Sequence, residues 1–149
     1  MFLDNTGKII IVKNIIFKDF YEGKINYNHD RSLIRPCLIV SELEDKNYVL
    51  PISSTRSNEK FLYKKFKIYR DNLINQALNT NINYIKLDQI IPLDPYYRKP
   101  IDELDSETYY KCLLKLKKYY ERVSFTSDEY EEIKEDVNKQ LKKLRKLSN

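Results

Sequence analysis

Residues 35–56, RPCLIVSELEDKNYVLPISSTR, limit what this chain can fold into more than any other stretch. Two short apolar runs, 36–41 and 48–53, flank a charged turn at 42–47. Runs of this length, bounded by turn residues and rich in β-branched side chains, read as buried strands. Paired as a hairpin they run antiparallel, so Arg35 and Ser53 emerge near the same end of a sheet. A fixed cation and a hydroxyl are thereby brought close together, with no catalytic dyad visible in the local sequence.

Around this hairpin the chain reads as strands first and helices last. Residues 8–17, KIIIVKNIIF, are rich in β-branched side chains and predict the first strand, with Gly7 suited to a turn before it. Residues 18–34 form a long polar loop that carries His29 and Arg31. Residues 57–69 fit either a basic helix or a loop leading into a short strand, and 71–78 fit a helical turn. Alternation over 83–93 predicts another strand, ended by Pro92. Pro95 and Pro100 make 94–105 a rigid connector. Asp105 or Ser106 then caps a helix to about Arg122, with Tyr109, Leu113, Leu116 and Tyr120 along its buried stripe. Thr126 and Glu129 make a capping box for a second helix to about Leu147, with Ile133, Val137, Leu141 and Leu144 as its seam. The expected class is α+β: a small antiparallel sheet with C-terminal helices packed on it. Residues 1–122 form the domain, and 123–149 a helical extension of it.

Charge narrows the partners. The net charge is +5, and residues 123–149 carry six acids and six bases, so the excess lies in 1–122. Between Arg56 and Arg70 six bases face Glu59 alone. A solvated face and an anion-binding face are both open readings of such a run. Phe61, Tyr63, Phe66 and Tyr69 are interleaved with it and fit either base stacking or the core. The 2 glycines stand alone, which argues against a glycine-rich phosphate loop. Cys37 and Cys112 make neither a disulfide framework nor a zinc set and read as buried thiols. No cofactor or metal is expected. No stretch reaches transmembrane length and no signal-like start is present, so a reduced, cytoplasmic protein is expected, with no membrane partner.

Several blocks, in their order, carry a family resemblance: a Gly-Lys strand at 7–12, RPCLIV at 35–40, PISS at 51–54, YIKLDQIIPLD at 84–94, and PIDELDSE at 100–107 opening a helix. In these blocks the chain resembles the MazF/PemK (Kid) superfamily of endoribonuclease toxins, which includes the ToxN/AbiQ type. The resemblance spans roughly residues 7–122. It implies a small SH3-like antiparallel barrel, usually dimeric, that cleaves RNA without metal to leave a 2′,3′-cyclic phosphate and a 5′-hydroxyl. It also implies a cognate antitoxin, either protein (type II) or RNA (type III), and growth arrest when the chain is expressed alone. The family's catalytic arginine falls on Arg35 and its catalytic Thr or Ser on Ser53. Ser54 and Arg56 occupy positions that matter in the ToxN-like branch. Arg56 stands where that branch has Lys and has no deprotonatable amine to act as a base. The long second helix leans towards ToxN, and the Gly-Lys strand towards MazF.

The chemistry can also be argued from the residues. Transesterification needs a base for the 2′-hydroxyl, positive charge on the phosphorane and an acid for the 5′-oxygen. Arg35 suits the second task through its planar, permanently charged fork. Ser53 can donate to a phosphate oxygen. His29, the single histidine, has the ordinary pKa for proton transfer, and an exposed loop histidine is the plainer reading. Arg31, Arg56, Lys60 and Lys64 are candidate phosphate-binding side chains. For Arg35 the plain reading is a surface arginine at a strand start; for Ser53 it is a hydroxyl satisfying a turn. A catalytically silent RNA- or protein-binding regulator on the same fold is the alternative function.

Overall fold

A computed structural model of the protein describes residues 5–21, 34–43, 45–54, 59–94, 99–123 and 128–147. The strands are β1 (Lys8–Lys13), β2 (Ile34–Leu43), β3 (Lys46–Ser53), β4 (Lys65–Tyr69), β5 (Ile82–Lys86), β6 (Ile91–Leu93) and β7 (Asp102–Glu103). The helices are α1 (Asn14–Tyr21), α2 (Ser106–Arg122) and α3 (Asp128–Leu147), with short 3-10 turns at Glu59–Lys64 and Arg70–Asn72. All strand pairs are antiparallel in the order β4-β5-β3-β2-β1-β7, and β6 pairs β3. A Leu73↔Leu104 bridge joins the chain just beyond β4 to the chain just beyond β7. The sheet therefore curls far enough for the chain beyond each of its two end strands to meet. The architecture is α+β, a curled antiparallel sheet with two C-terminal helices.

The hairpin forms as the two apolar runs predict, with longer arms: Leu43 pairs Lys46, and only residues 44 and 45 lie between the strands. Gly7 supplies the entry to β1. Its φ of 84° is left-handed, so only glycine fits without strain, although a Cβ there would meet the Tyr109 ring at an ordinary 3.4 Å.

Two expectations need correction. The run 8–17 is not one strand: β1 stops at Lys13 and α1 begins at Asn14. Helical spacing lets Phe17 bury fully, with Ile16 and Phe20 packed beside it, over Ile10, Val12, Cys37 and Val49 on one face of the sheet. Nor is 83–93 one strand. Moving three residues back along β3, from Ile52 to Val49, moves the partner six residues on, from Ile85 to Ile91. Three residues are looped out at this corner, and the loop buries Leu87 and Ile90. Pro92 sits inside β6 rather than ending it, opposite Tyr48. It is tolerated there because β6 has a single partner strand.

The larger core fills the opposite face, under α2 and α3. Tyr109, Leu113, Leu116 and Tyr120 are buried, as the stripe predicts, and Cys112 joins them. Asp105 is the cap, accepting the Thr108 N–H at 2.8 Å. Tyr130, Ile133, Val137 and Leu141 of α3 are buried in the same core, so this helix packs on the body of its own chain. A polar seam fixes its orientation. Ser41 donates to Asp136 (2.6 Å), Tyr48 donates to Glu132, Gln140 donates to the Val40 carbonyl (2.7 Å), and Tyr109 donates to Gln140 (2.6 Å). Among the described residues no helix is long and apolar enough to cross a membrane.

Candidate functional site

The β2–β3 ladder ends at Cys37↔Pro51. Beyond it the strands take different partners: Arg35 pairs Val12 of β1, while Ile52 and Ser53 pair Ile85 and Tyr84 of β5. The sheet forks there. Carrying the ladder's register two residues further would set Arg35 opposite Ser53. A cavity of about 300 Å³ lies at the fork, and Arg35, Ser53, Ser54, Asn79, Thr80 and Asn83 are among the residues that line it.

Arg35 is 2% exposed and Ser53 6% exposed. The surface-arginine reading is therefore corrected. Alternation along β2 places Arg35 on the same face as Cys37, towards the smaller core, and the Cys37 thiol donates to the Arg35 carbonyl at 3.6 Å. Ser54, one residue past β3, is exposed. The fold thus gathers three of the predicted residues, Arg35, Ser53 and Ser54, around one opening.

The far wall of the cavity comes from the loop after the second 3-10 turn, and its anchors escaped the sequence reading. Asp102, 3% exposed, sits in β7, within the stretch read as a rigid connector. Its Oδ1 accepts the N–H groups of Asn75 and Glu103, each at 2.8 Å, and its Oδ2 accepts that of Ala77 at 2.7 Å. Gln76, between the two anchored loop residues, has a φ of 50°. Further along, Thr80 donates to the Asn83 side-chain oxygen (2.7 Å), and the Asn83 amide donates to the Thr80 carbonyl (2.9 Å). Arg70 donates to the Asn79 carbonyl. Buried polar groups need such partners, and here they fix the loop that faces Arg35 and Ser53. The one available signal was the polar, Asn-rich tract around residue 79, which reads only as a chain break.

The first 3-10 turn carries two of the remaining candidates. Lys64 ends the first 3-10 turn, beside Tyr63, with its Nζ 5.7 Å from that ring's centroid. It is near Asp88, whose carboxyl is pushed up by burial against the opposing charges of Lys64, Lys86 and Lys65. Lys60 lies in the same turn, and its side chain is outside the described part. His29, Arg31 and Arg56 lie outside the described residues, as does Thr126 of the expected capping box. Among the described residues no three His, Cys, Asp or Glu side chains are grouped to hold a metal ion.

In comparisons with known proteins, no family model matches the chain, and no curated protein is similar to it at a significant level.

Proposed function

We propose that the chain is a metal-independent endoribonuclease, the toxin component of a toxin–antitoxin system, built on a small SH3-like barrel of the MazF/PemK type. The observation that carries this reading is the fork between β2 and β3, where an arginine and two serine hydroxyls line one cavity. The curled sheet, with the chain beyond its two end strands bridged, is compatible with the finer fold assignment.

In this reading the substrate 2′-oxygen attacks the adjacent phosphorus, the O2′–P bond forms and the P–O5′ bond breaks. The products carry a 2′,3′-cyclic phosphate and a 5′-hydroxyl. The Arg35 guanidinium binds the non-bridging oxygens as charge builds on them, which is the largest expected contribution. Ser53 donates to a phosphate oxygen, and Ser54, at the exposed rim, contacts the chain on either side of the scissile bond. His29, the one side chain of the type that titrates nearest neutrality, is proposed to move protons. The partners are an RNA substrate and a protein or RNA antitoxin, with a homodimer as the proposed assembly.

The test is incubation of the purified protein with a long RNA in EDTA. Cleavage to cyclic-phosphate ends is expected, with Arg35→Ala slowing it by about 10²–10³ and Ser53→Ala slowing it as well. Urea unfolding of each variant checks the fold. Unchanged cleavage in both variants would show that this is not the site. The near-complete burial of Arg35 and Ser53 favours a second reading, a catalytically silent RNA- or protein-binding regulator. RNA binding without cleavage across many sequences is its signature.

A further inference from the structure

We infer that the outward face of β4 and β5, beside Ser53, is a track for single-stranded RNA, on which Lys65, Lys67 and Lys86 neutralise backbone phosphates and Tyr69 and Tyr84 stack bases. This deepens the proposed function and rests on it for the identity of the polyanion.

The register builds the track. Ser53 pairs Tyr84, and Tyr84 pairs Lys67 on its other side, so these three residues form one row across three strands. The neighbouring rows are Lys65↔Lys86 and Tyr69↔Ile82. Residues directly opposite in an antiparallel sheet share a face. Ile68, Ile85 and Phe66 point the other way, into the main core. The basic run is thereby sorted: Phe66 and Ile68 go inward, while Lys65, Lys67 and Tyr69 go outward. At about 4.8 Å between strands, Lys67 lies about 10 Å from Ser53, close enough for one RNA chain to reach both.

The chemistry of this face is one-sided. Lys65 stands directly opposite Lys86, a like-charge pair that weakens a sheet. An anion lying across it would reverse that penalty. Asp88, just beyond β5, feels the positive charges of Lys64, Lys86 and Lys65. Lys67 is exposed, with its Nζ 5.3 Å from the Tyr69 ring centroid. Tyr69 is 45% exposed and Ile82 is 38% exposed. A base laid on Tyr69 would therefore sit beside a cation that its own phosphate can use. Every base has a π-face, so stacking of this kind tolerates sequence. Bare lysines would serve any polyanion; the interleaved tyrosines single out unpaired nucleic acid.

The test uses the full chain and a fluorescein-labelled 2′-O-methyl oligoribonucleotide of mixed sequence, whose blocked hydroxyl prevents cleavage. Affinity is followed by anisotropy across a salt series. For a double Lys65→Ala, Lys67→Ala variant the slope of log K against log salt should fall by about 1.4, or about 0.7 for each phosphate no longer neutralised. Tyr69→Ala should weaken binding about tenfold with the slope unchanged. Lys139→Ala with Lys146→Ala, both on the exposed side of α3, is the control and should change little. The track is overturned if the Lys65, Lys67 pair behaves like the control. It is also overturned if Tyr69→Ala binds as the wild type while heparin competes with unchanged strength, which would mark a general polyanion surface. A variant at Arg35 that stops cleavage but keeps this binding speaks to the proposed reaction alone. Because the probe cannot be cut, the track stands or falls separately.

Discussion

Asp102→Asn is the most informative single change, because it keeps the shape of a buried side chain and alters only what that side chain can accept. The native carboxylate takes three backbone N–H groups, two on Oδ1 and one on Oδ2. An amide has one oxygen. If that oxygen stays with Asn75 and Glu103, its NH2 group faces the Ala77 N–H, and two donors oppose each other. One charge-assisted bond disappears and the other two become neutral. Losing one bond to a charged group (about 1.5–3 kcal/mol) and weakening two others to neutral strength (about 0.5–2 kcal/mol each) costs about 2.5–7 kcal/mol, of which about 3 is the conservative end. With a urea m-value of roughly 2 kcal/mol/M, the unfolding midpoint falls by about 1.5 M at unchanged slope. The same substitution should speed amide exchange at Asn75 and Ala77 more than in the β2–β3 ladder. A midpoint shift under about 0.3 M with unchanged exchange at those two amides would refute the anchoring role.

Two further outcomes follow from the cores. Leu116→Ala, at a fully buried position of α2, should destabilise by about 2–5 kcal/mol in the same urea assay. Stability should also fall in alkali. Burial pushes the Cys112 thiol up to about 12 from 9.0 and the Tyr119 and Tyr130 hydroxyls up to about 12 from 10.0. Burial, helped by Glu132, raises Tyr48 as well. The unfolded chain ionises first, so it binds fewer protons than the folded one between pH 9 and 12. These groups leave stability untouched below pH 9 and remove it above, each with a slope approaching about 1.4 kcal/mol per pH unit. Urea midpoints at rising pH measure this, and a flat profile to pH 11 would contradict it. Thiol reagents at pH 8 should label neither Cys37 nor Cys112 until urea is added.

What the sequence made legible was local. The stripe of α2 follows a short period and the arms of the β2–β3 hairpin are short apolar runs around a charged turn, and each formed as read. Where one segment had to satisfy a distant one, the reading failed. Residues 14–17 are β-branched enough for a strand, yet the sheet's second face needs covering, and Phe17 covers it as a helical residue. The spacing of Ile16, Phe17 and Phe20 was the available signal. The loop-out after β5 answers a corner in β3, which leaves no trace in the sequence of 83–93. Arg35 was legible as a candidate but not as a buried group. Its parity with Cys37, an evident core residue, held that information. Asp102 was invisible because two of its three partners lie 25 and 27 residues away.

The Leu73↔Leu104 bridge has a kinetic consequence. The hairpin can close early, because its loop is short. The bridge closes a longer loop, between residues 73 and 104, at a higher entropic cost. The loop that walls the cavity hangs on Asp102, beside Leu104, so it takes shape with that closure. A chain that has closed only the hairpin holds Arg35 and Ser53 with nothing from that loop facing them. The site therefore needs both closures, the hairpin and the bridge, and any activity it has belongs to a chain that has made both.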